Sequence, residues 1–83
     1  KNTVCVIQLG SFKNKSNALR LVNQLRASGY RAFIQQVNTT SGDSTRVFVG
    51  PELKQTAARA LAGELETSLH VHGIVISYQP LAL

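Results

Sequence analysis

The sequence predicts an α+β fold in which four antiparallel strands form one sheet and two helices cover one of its faces. Three observations lead to this prediction: four short runs rich in β-branched residues, two segments with apolar residues at helical spacing, and the order βαββαβ. Right-handed crossovers fold this order into the ferredoxin-like arrangement, which leaves the other sheet face open. The chain of 83 residues has room for one domain and one core.

The first strand and the first helix have the strongest patterns. Residues 4–9 form an apolar run that Gln8 interrupts, and Gly10 closes the run, which predicts strand one. Residues 14–28 place apolar side chains on one helical face, and Gly29 occupies the position at which helices commonly end. The apolar residues of that face are Ala18, Leu21, Val22 and Leu25.

A hairpin follows the first helix. Residues 30–37 alternate in polarity and contain aromatic and β-branched side chains, and residues 45–49 do the same up to Gly50. The polar residues 38–44 between them predict the turn. These segments are strands two and three.

A second helix and a last strand complete the order. Apolar residues recur on one helical face between positions 53 and 69, and this predicts helix two. Gly63 interrupts the helix, at a cost of about 1 kcal/mol relative to alanine if the position is mid-helix. Residues 73–78 form a β-branched run that ends before Pro80, and they predict strand four.

The two-residue period of strands assigns each side chain to a face of the sheet. The inward set is Cys5, Ile7, Leu9, Ala32, Ile34, Val47, Val49, Val75 and Ser77. The set expected on the helix-free face is Val4, Val6, Gln8, Arg31, Phe33, Gln35, Arg46, Phe48, Ile74, Ile76 and Tyr78. Such an apolar surface usually marks an interaction site. The alternatives are a covering helix or partner subunit, or a strand four that is out of phase by one residue.

The sequence offers no set of residues for catalysis or for a metal. Cys5 lies among apolar residues without a basic neighbour, so its thiol is expected to be inert. Glu64 and Glu66 are two positions apart on a helix, and their carboxylates therefore diverge. His70 and His72 with a single cysteine cannot build an ordinary zinc site. We expect no enzymatic activity, no metal and no cofactor.

Positive charge is concentrated in the first half of the chain, where six lysines and arginines precede the first acid, Asp43. A basic half suggests an anionic partner such as nucleic acid, acidic lipid or the bacterial wall, and a solvated face is the plain alternative. No run of 18 apolar residues predicts a membrane span. Because the chain contains no methionine, we expect it to be a domain of a longer protein.

Two segments carry a family pattern. Residues 6–12 read Val-Ile-Gln-Leu-Gly-Ser-Phe, and residues 46–51 read Arg-Val-Phe-Val-Gly-Pro. With Gly29 and Tyr30 after the first helix, and with the apolar face of that helix, the chain resembles the SPOR domain family from about position 4 to position 78. The fold of that family is the βαββαβ arrangement already predicted from periodicity.

The resemblance implies a binding module without catalytic activity. SPOR domains bind the glycan strands of peptidoglycan where stem peptides have been removed, and this directs division proteins to the septum. The glycan lies on the helix-free face, where amides and hydroxyls suit its polar groups and apolar side chains cover its sugar faces. The binding residues expected here are Gln8, Ser11, Arg46, Phe48, Phe33, Val6, Ile76 and Tyr78.

The chain departs from the family pattern at two places. Cys5 stands where many members have an aromatic residue, and Ser44 and Thr45 stand where some have a tryptophan leading into strand three. The aromatic residues expected to replace that tryptophan are Phe33, Phe48 and Tyr78.

The pattern is most similar to that of inner-membrane division proteins with a periplasmic C-terminal SPOR domain. We therefore expect residues 1–83 to be a single domain with its core over about 4–79, anchored to the inner membrane of a Gram-negative bacterium by a segment outside this chain. It would be enriched at the septum and would contact other division proteins. The alternative is an RNA-binding domain of the same topology, but its aromatic signature on the two central strands is missing, so nucleic acid is not expected.

Overall fold

The computed structural model describes residues 3–78, which form a four-stranded antiparallel sheet and two helices. The elements are β1 (Val4–Phe12), α1 (Lys15–Ala27), β2 (Ala32–Thr39), β3 (Gly42–Glu52), α2 (Gln55–Leu69) and β4 (Ile74–Tyr78). The strand order β2-β3-β1-β4 places β1 and β3 at the centre of the sheet. The predicted ferredoxin-like fold is confirmed. Neither helix is long and apolar enough to cross a membrane.

Helix α1 has a signal at each end. Asn14 caps its start, because the side-chain Oδ1 accepts a hydrogen bond from the backbone N–H of Ser16. At its end Gly29 has a φ of 94°, and the N–H of Tyr30 donates to the carbonyl of Leu25 over 3.0 Å. This is the Schellman arrangement, in which a left-handed residue favours glycine. It turns the chain from α1 back toward β2.

Both helices pack on the same face of the sheet. Helix α1 lies mainly against β2 and β3, and α2 lies mainly against β1, β3 and β4. The buried core between the two layers consists of Cys5, Ile7, Ala18, Val22, Leu25, Ala32, Val47, Val49, Ala58 and Leu65. Leu9, Ile34 and Val75 pack against it, which agrees with the predicted inward set.

The central strands β1 and β3 pair with two irregularities, and one of them changes the face assignments near the end of β1. Gln8 pairs with Phe48, but Gly10 pairs with Val47, so β1 carries one extra residue at this point. Such a bulge reverses the alternation of faces beyond it. The strand then continues to Phe12, and the prediction that it ends at Gly10 was wrong because a bulge lets the ladder pass the glycine.

The hairpin is tighter than the sequence suggested. Pairing between β2 and β3 continues without interruption to Thr39 and Gly42, which leaves residues 40–41 as the turn. Polar residues over 38–44 predicted a longer turn. The prediction failed because both faces of the hairpin end lie beyond the core, where strand residues can be polar.

Strand β4 has the predicted phase. Val6 pairs with Ile76, and Cys5 pairs with Ser77, whose Oγ lies 3.7 Å from the Cys5 Sγ. Directly paired residues of antiparallel strands share a face. Ile74 and Ile76 therefore lie on the helix-free side, and the alternative of a strand out of phase by one residue is excluded.

Candidate functional site

The helix-free face carries a groove of about 420 Å³. Its lining consists of Val6, Gln8, Phe33, Ile34, Gln35, Arg46, Phe48 and Ile76. Six of the eight residues predicted to bind a ligand are in this set. Of the other two, Ser11 is exposed and pairs with the groove residue Arg46, and the side chain of Tyr78 lies outside the described residues.

One row of side chains crosses all four strands at right angles to them. Phe33 pairs with Phe48, Phe48 pairs with Gln8 across the next strand, and Gln8 pairs with Ile74 on β4. The rings of Phe33 and Phe48 are stacked, with centroids 5.4 Å apart and an interplanar angle of 24°. This row, which we call the apolar row, offers an aromatic surface at one end and an amide near its middle.

A second row runs beside the first and is polar. Gln35 on β2 pairs with Arg46 on β3, and Arg46 pairs with Ser11 on β1. Strict alternation along β1 would have placed Gln8 and Ser11 on opposite faces, because they are three positions apart. The bulge between them reverses the alternation, so the hydroxyl of Ser11 joins the helix-free face. We call Gln35, Arg46 and Ser11 the polar row.

The floor of the groove is buried although no helix of the described residues covers it. Val6 is 2% exposed and Phe48 is 7% exposed. Their neighbours on the adjacent strands cover them, whereas Gln8 and Arg46 remain half-buried. The face predicted to be open and apolar is therefore a groove with an apolar floor and polar groups that a ligand can reach.

Arg46 gives the groove its charge. Within residues 3–78 it is the one charged residue that lines the groove, and none of these residues brings a carboxylate to it. His72 Nδ1 lies 3.7 Å from Glu66 Oε1, and both side chains are exposed and outside the groove lining. The guanidinium thus stands in the groove with its positive charge unpaired by the described part of the chain.

Two residues that line the groove, Gln35 and Ile34, were not predicted as binding residues. Gln35 was assigned to the correct face, and its direct pairing with Arg46 adds it to the site. Ile34 faces inward and packs against the core, but it also reaches the groove. It lies on the edge strand β2, where a side chain has a neighbouring strand on one side only. The edge position in the sheet is the signal that marks it.

The other candidates for chemistry lie away from the groove. Cys5 is buried in the core, as expected. Glu64 accepts a hydrogen bond from the hydroxyl of Tyr30 over 2.8 Å, and this bond is the main cause that raises the pKa of Tyr30. Within residues 3–78, no three His, Cys, Asp or Glu side chains lie close enough to hold a metal ion.

Known proteins with a similar sequence share this architecture. The cell division protein DedD of Escherichia coli K12 is 33% identical over 75 residues, which cover 90% of this chain and 34% of DedD. The chain thus spans about a third of the length of that relative. A solved structure of Spor protein DedD is 32% identical with a TM-score of 0.72, and covers 95% of this chain and 41% of its own.

A second solved structure shows the same fold at lower identity. It is the solution structure of the peptidoglycan binding domain of the B. subtilis cell wall lytic enzyme CwlC, with a TM-score of 0.76 and 24% identity over 94% of this chain and 92% of that one. The family model of the SPOR domain matches residues 1–77. The resemblance seen in the motifs of β1 and β3 is confirmed, and the chain belongs to the SPOR domain family.

Proposed function

We propose that this domain binds peptidoglycan glycan strands from which the stem peptides have been removed, and that this binding brings the protein that carries it to the division septum. The observation that supports the proposal best is the groove on the helix-free face. Its floor is apolar, and amides and one guanidinium border it. Sugar chains require this combination, because their rings have apolar faces and polar edges.

The apolar row and the polar row contact different parts of the glycan. The stacked Phe33 and Phe48 cover the apolar face of a sugar ring, as aromatic side chains do when they bury large contact areas at a small entropic cost. The amide of Gln8 both donates and accepts, so it matches a sugar hydroxyl or an N-acetyl group. The polar row then contacts the edge of the strand.

The same geometry favours strands without stem peptides. A glycan that crosses the sheet must lie close to the floor formed by Val6 and Phe48 to bury its apolar faces. A peptide branch on the side of the strand that faces the sheet would hold it away from that floor. Removal of the peptides relieves this obstruction.

We propose a targeting role without catalysis. The domain would be one part of a longer division protein, anchored in the inner membrane by a segment outside this chain and exposed to the periplasm. The similarity to the cell division protein DedD, of which this chain covers 34%, supports a place within a longer division protein. Contacts with other division proteins would then follow from recruitment to the same site. The proposed core of the domain spans about residues 4–79 of a single unit.

The test is cosedimentation with purified sacculi, with and without prior amidase treatment. We expect more domain in the pellet when the stem peptides have been removed. Gln8→Ala should reduce the pelleted fraction, while Gln24→Ala, the same change on an exposed position of α1, should not. Equal binding to treated and untreated sacculi contradicts the specificity for stripped strands.

Two further measurements separate targeting and the RNA alternative. A fluorescent fusion exported to the periplasm should gather at the septum, and uniform labelling of the cell outline contradicts the targeting role. An RNA-binding domain would lose affinity steeply as salt increases, because neutralised phosphates release counterions. Tight, salt-sensitive RNA binding without sacculus binding would support that alternative.

A further inference from the structure

Among the described residues, Arg46 is a cation in the groove without an acidic partner, and its surroundings make a cation costly. Arg46 is half-buried beside the apolar row, with Phe48 as the next residue of β3 on the same face. None of the other seven residues that line the groove carries a charge. Near an apolar floor a charge is less screened by water, so it interacts more strongly with an ion brought to it. The groove is therefore complementary to a ligand with one negative charge at this position.

Two hydrogen-bond donors flank that cation. Ser11 and Gln35 pair directly with Arg46 from the strands on either side, and directly opposed side chains begin about 4.5–5.5 Å apart at Cβ. A guanidinium, a hydroxyl and an amide all donate hydrogen bonds. A carboxylate accepts through two oxygens and therefore matches a planar guanidinium with donors at its sides.

We infer that the polar row binds a carboxylate of the glycan, and that the groove selects carboxylate-bearing sugars over neutral sugars of the same shape. This inference rests on the proposed function, since it names the group on the glycan that the site recognises. In this arrangement Phe33 and Phe48 cover a sugar ring, and Arg46 pairs with an acidic substituent on the edge of the strand.

The chemistry of the glycan strand links a carboxylate at this position to removal of the stem peptide. A stem peptide is joined to the lactyl group of muramic acid through an amide. Hydrolysis of that bond by an amidase adds water, releases the peptide with a free amine and leaves a carboxylate on the sugar. Removal of the peptide thus replaces a neutral amide at the lactyl carbonyl with a carboxylate. Arg46 would detect the removal through the new charge, in addition to the loss of bulk.

The inference is tested with ligands that differ in whether they carry the lactyl carboxylate. Amidase-stripped glycan strands are compared with the same strands after their carboxylates have been converted to primary amides with carbodiimide and ammonium. Chito-oligosaccharides, which have no lactyl group, are the second neutral ligand. Affinity is measured by calorimetry for the unaltered domain, Arg46→Gln, Arg46→Lys, and Arg20→Gln as an exposed control on α1.

The expected result is a charge preference that depends on Arg46. The unaltered domain and Arg20→Gln should bind the carboxylate form at least about tenfold more tightly than the amidated form, as expected for a charge-assisted hydrogen bond. Arg46→Gln should bind both forms with the affinity that the unaltered domain has for the amidated form. Arg46→Lys should keep part of the preference, because lysine retains the charge but loses the planar donor pair.

The outcomes that contradict the inference differ from those that contradict the proposed function. Equal affinity of the unaltered domain for free and amidated strands overturns the carboxylate site and leaves glycan binding in place. A preference that persists in Arg46→Gln also overturns it, because another group then recognises the charge. If the folded domain binds none of the strand preparations, the proposed function itself is wrong.

Discussion

Alternate residues of the same strands build two surfaces that bury apolar side chains in different ways. On β3, Val47 and Val49 are 0% and 1% exposed beneath the helices, while Phe48 between them is 7% exposed on the helix-free side. The helices cover Val47 and Val49, whereas residues of the neighbouring strands cover Phe48. Burial alone therefore does not distinguish a core residue from the floor of a binding groove.

The polar residues distinguish the two sides. The helix-covered side contains a buried Thr45 among its apolar residues, and among the described residues no buried side-chain donor or acceptor lacks a partner. The helix-free side instead presents Gln8, Gln35 and Arg46 to a ligand. Substitutions of apolar residues should therefore change stability on both sides, and substitutions of polar residues on the helix-free side should change binding alone.

The largest effect is expected in the core. Leu25 is fully buried on α1, so Leu25→Ala should lower the free energy of unfolding by about 2–5 kcal/mol, through lost transfer energy and the cavity left behind. Urea denaturation measures this. The matched control is Leu19→Ala on the same helix, where the side chain is 40% exposed and the change should stay within about 0.5 kcal/mol. Equal losses of unfolding free energy in the two variants would mean that α1 packs a different face against the sheet.

The next effect tests whether the floor of the groove also stabilises the fold. Phe48→Ala removes a ring that is almost fully buried without a helix above it. We expect a loss of about 1.5–3 kcal/mol of unfolding free energy, the amount that burial of such a side chain contributes. Glycan binding should fall as well. Unchanged stability would show that the groove floor contributes nothing to the stability of the fold. The two sheet faces would then differ in their contribution to stability although both bury apolar side chains.

A third prediction concerns the close approach of the chain before β4 to the inner face of β1. A Cβ at Gly73 would overlap Ile7 Cγ2 and Leu9 Cδ2, so Gly73→Ala should cost about 1–3 kcal/mol through overpacking. Gly63 on α2 has open space at the corresponding position, and Gly63→Ala should raise stability by up to about 1 kcal/mol. Thermal denaturation of both variants measures the difference in sign. A neutral Gly73→Ala would mean that β4 shifts easily on β1.

The fold and most of the site could be predicted from the sequence, because the two periods that define them are local. Residues two apart on a strand share a face, which placed Gln8, Phe33 and Phe48 on one side of the sheet. The bulge near Gly10 could not be predicted from periodicity, since an extra residue in β1 is visible only in its register with β3. The SPOR motif placed Ser11 at the site through resemblance, and the bulge supplies the physical reason.

The periodicity of the sequence also could not predict contacts between residues that are far apart in the chain. Tyr30 and Glu64 are 34 positions apart, and their hydrogen bond joins the turn between α1 and β2 to α2. No periodic signal connects them. The length of the hairpin turn is a similar case, because it depends on how far the ladder between β2 and β3 extends.

The fourth prediction separates binding from stability on the helix-free face. Gln8→Ala removes an amide that is half-buried in the groove, and the melting temperature should stay nearly unchanged, as for a change within about 0.5 kcal/mol. Affinity for stripped glycan strands should fall by about 0.5–1.5 kcal/mol, roughly twofold to tenfold. Calorimetry and circular dichroism measure the two quantities. A similar loss of affinity in the control Gln24→Ala would show that the polymer binds the helical side instead.

The smallest effect concerns the hydrogen bond between Tyr30 and Glu64, which lies apart from both sheet faces. Tyr30→Phe keeps the ring that packs against the core and removes the hydroxyl, so the loss of stability at neutral pH should be small. The bond to Glu64, then desolvation and the charge of Glu64, raise the pKa of Tyr30 in the folded state. The folded chain therefore holds this proton more tightly than the unfolded chain does.

The direction of this pKa shift determines how stability depends on pH. The stabilisation from the hydroxyl is fully present below the pKa of an unfolded tyrosine, about 10, and is lost as the pH rises through the raised pKa of Tyr30. The difference in stability between the unaltered domain and Tyr30→Phe should shrink above about pH 10 and remain constant below it. Tyrosinate absorbance isolates the group, because Tyr30→Phe leaves Tyr78 as the one tyrosine. A Tyr30 that titrates below an unfolded tyrosine would mean that its hydroxyl does not donate a hydrogen bond to Glu64, and the contact between the α1–β2 turn and α2 would then rest on the packing of the ring alone.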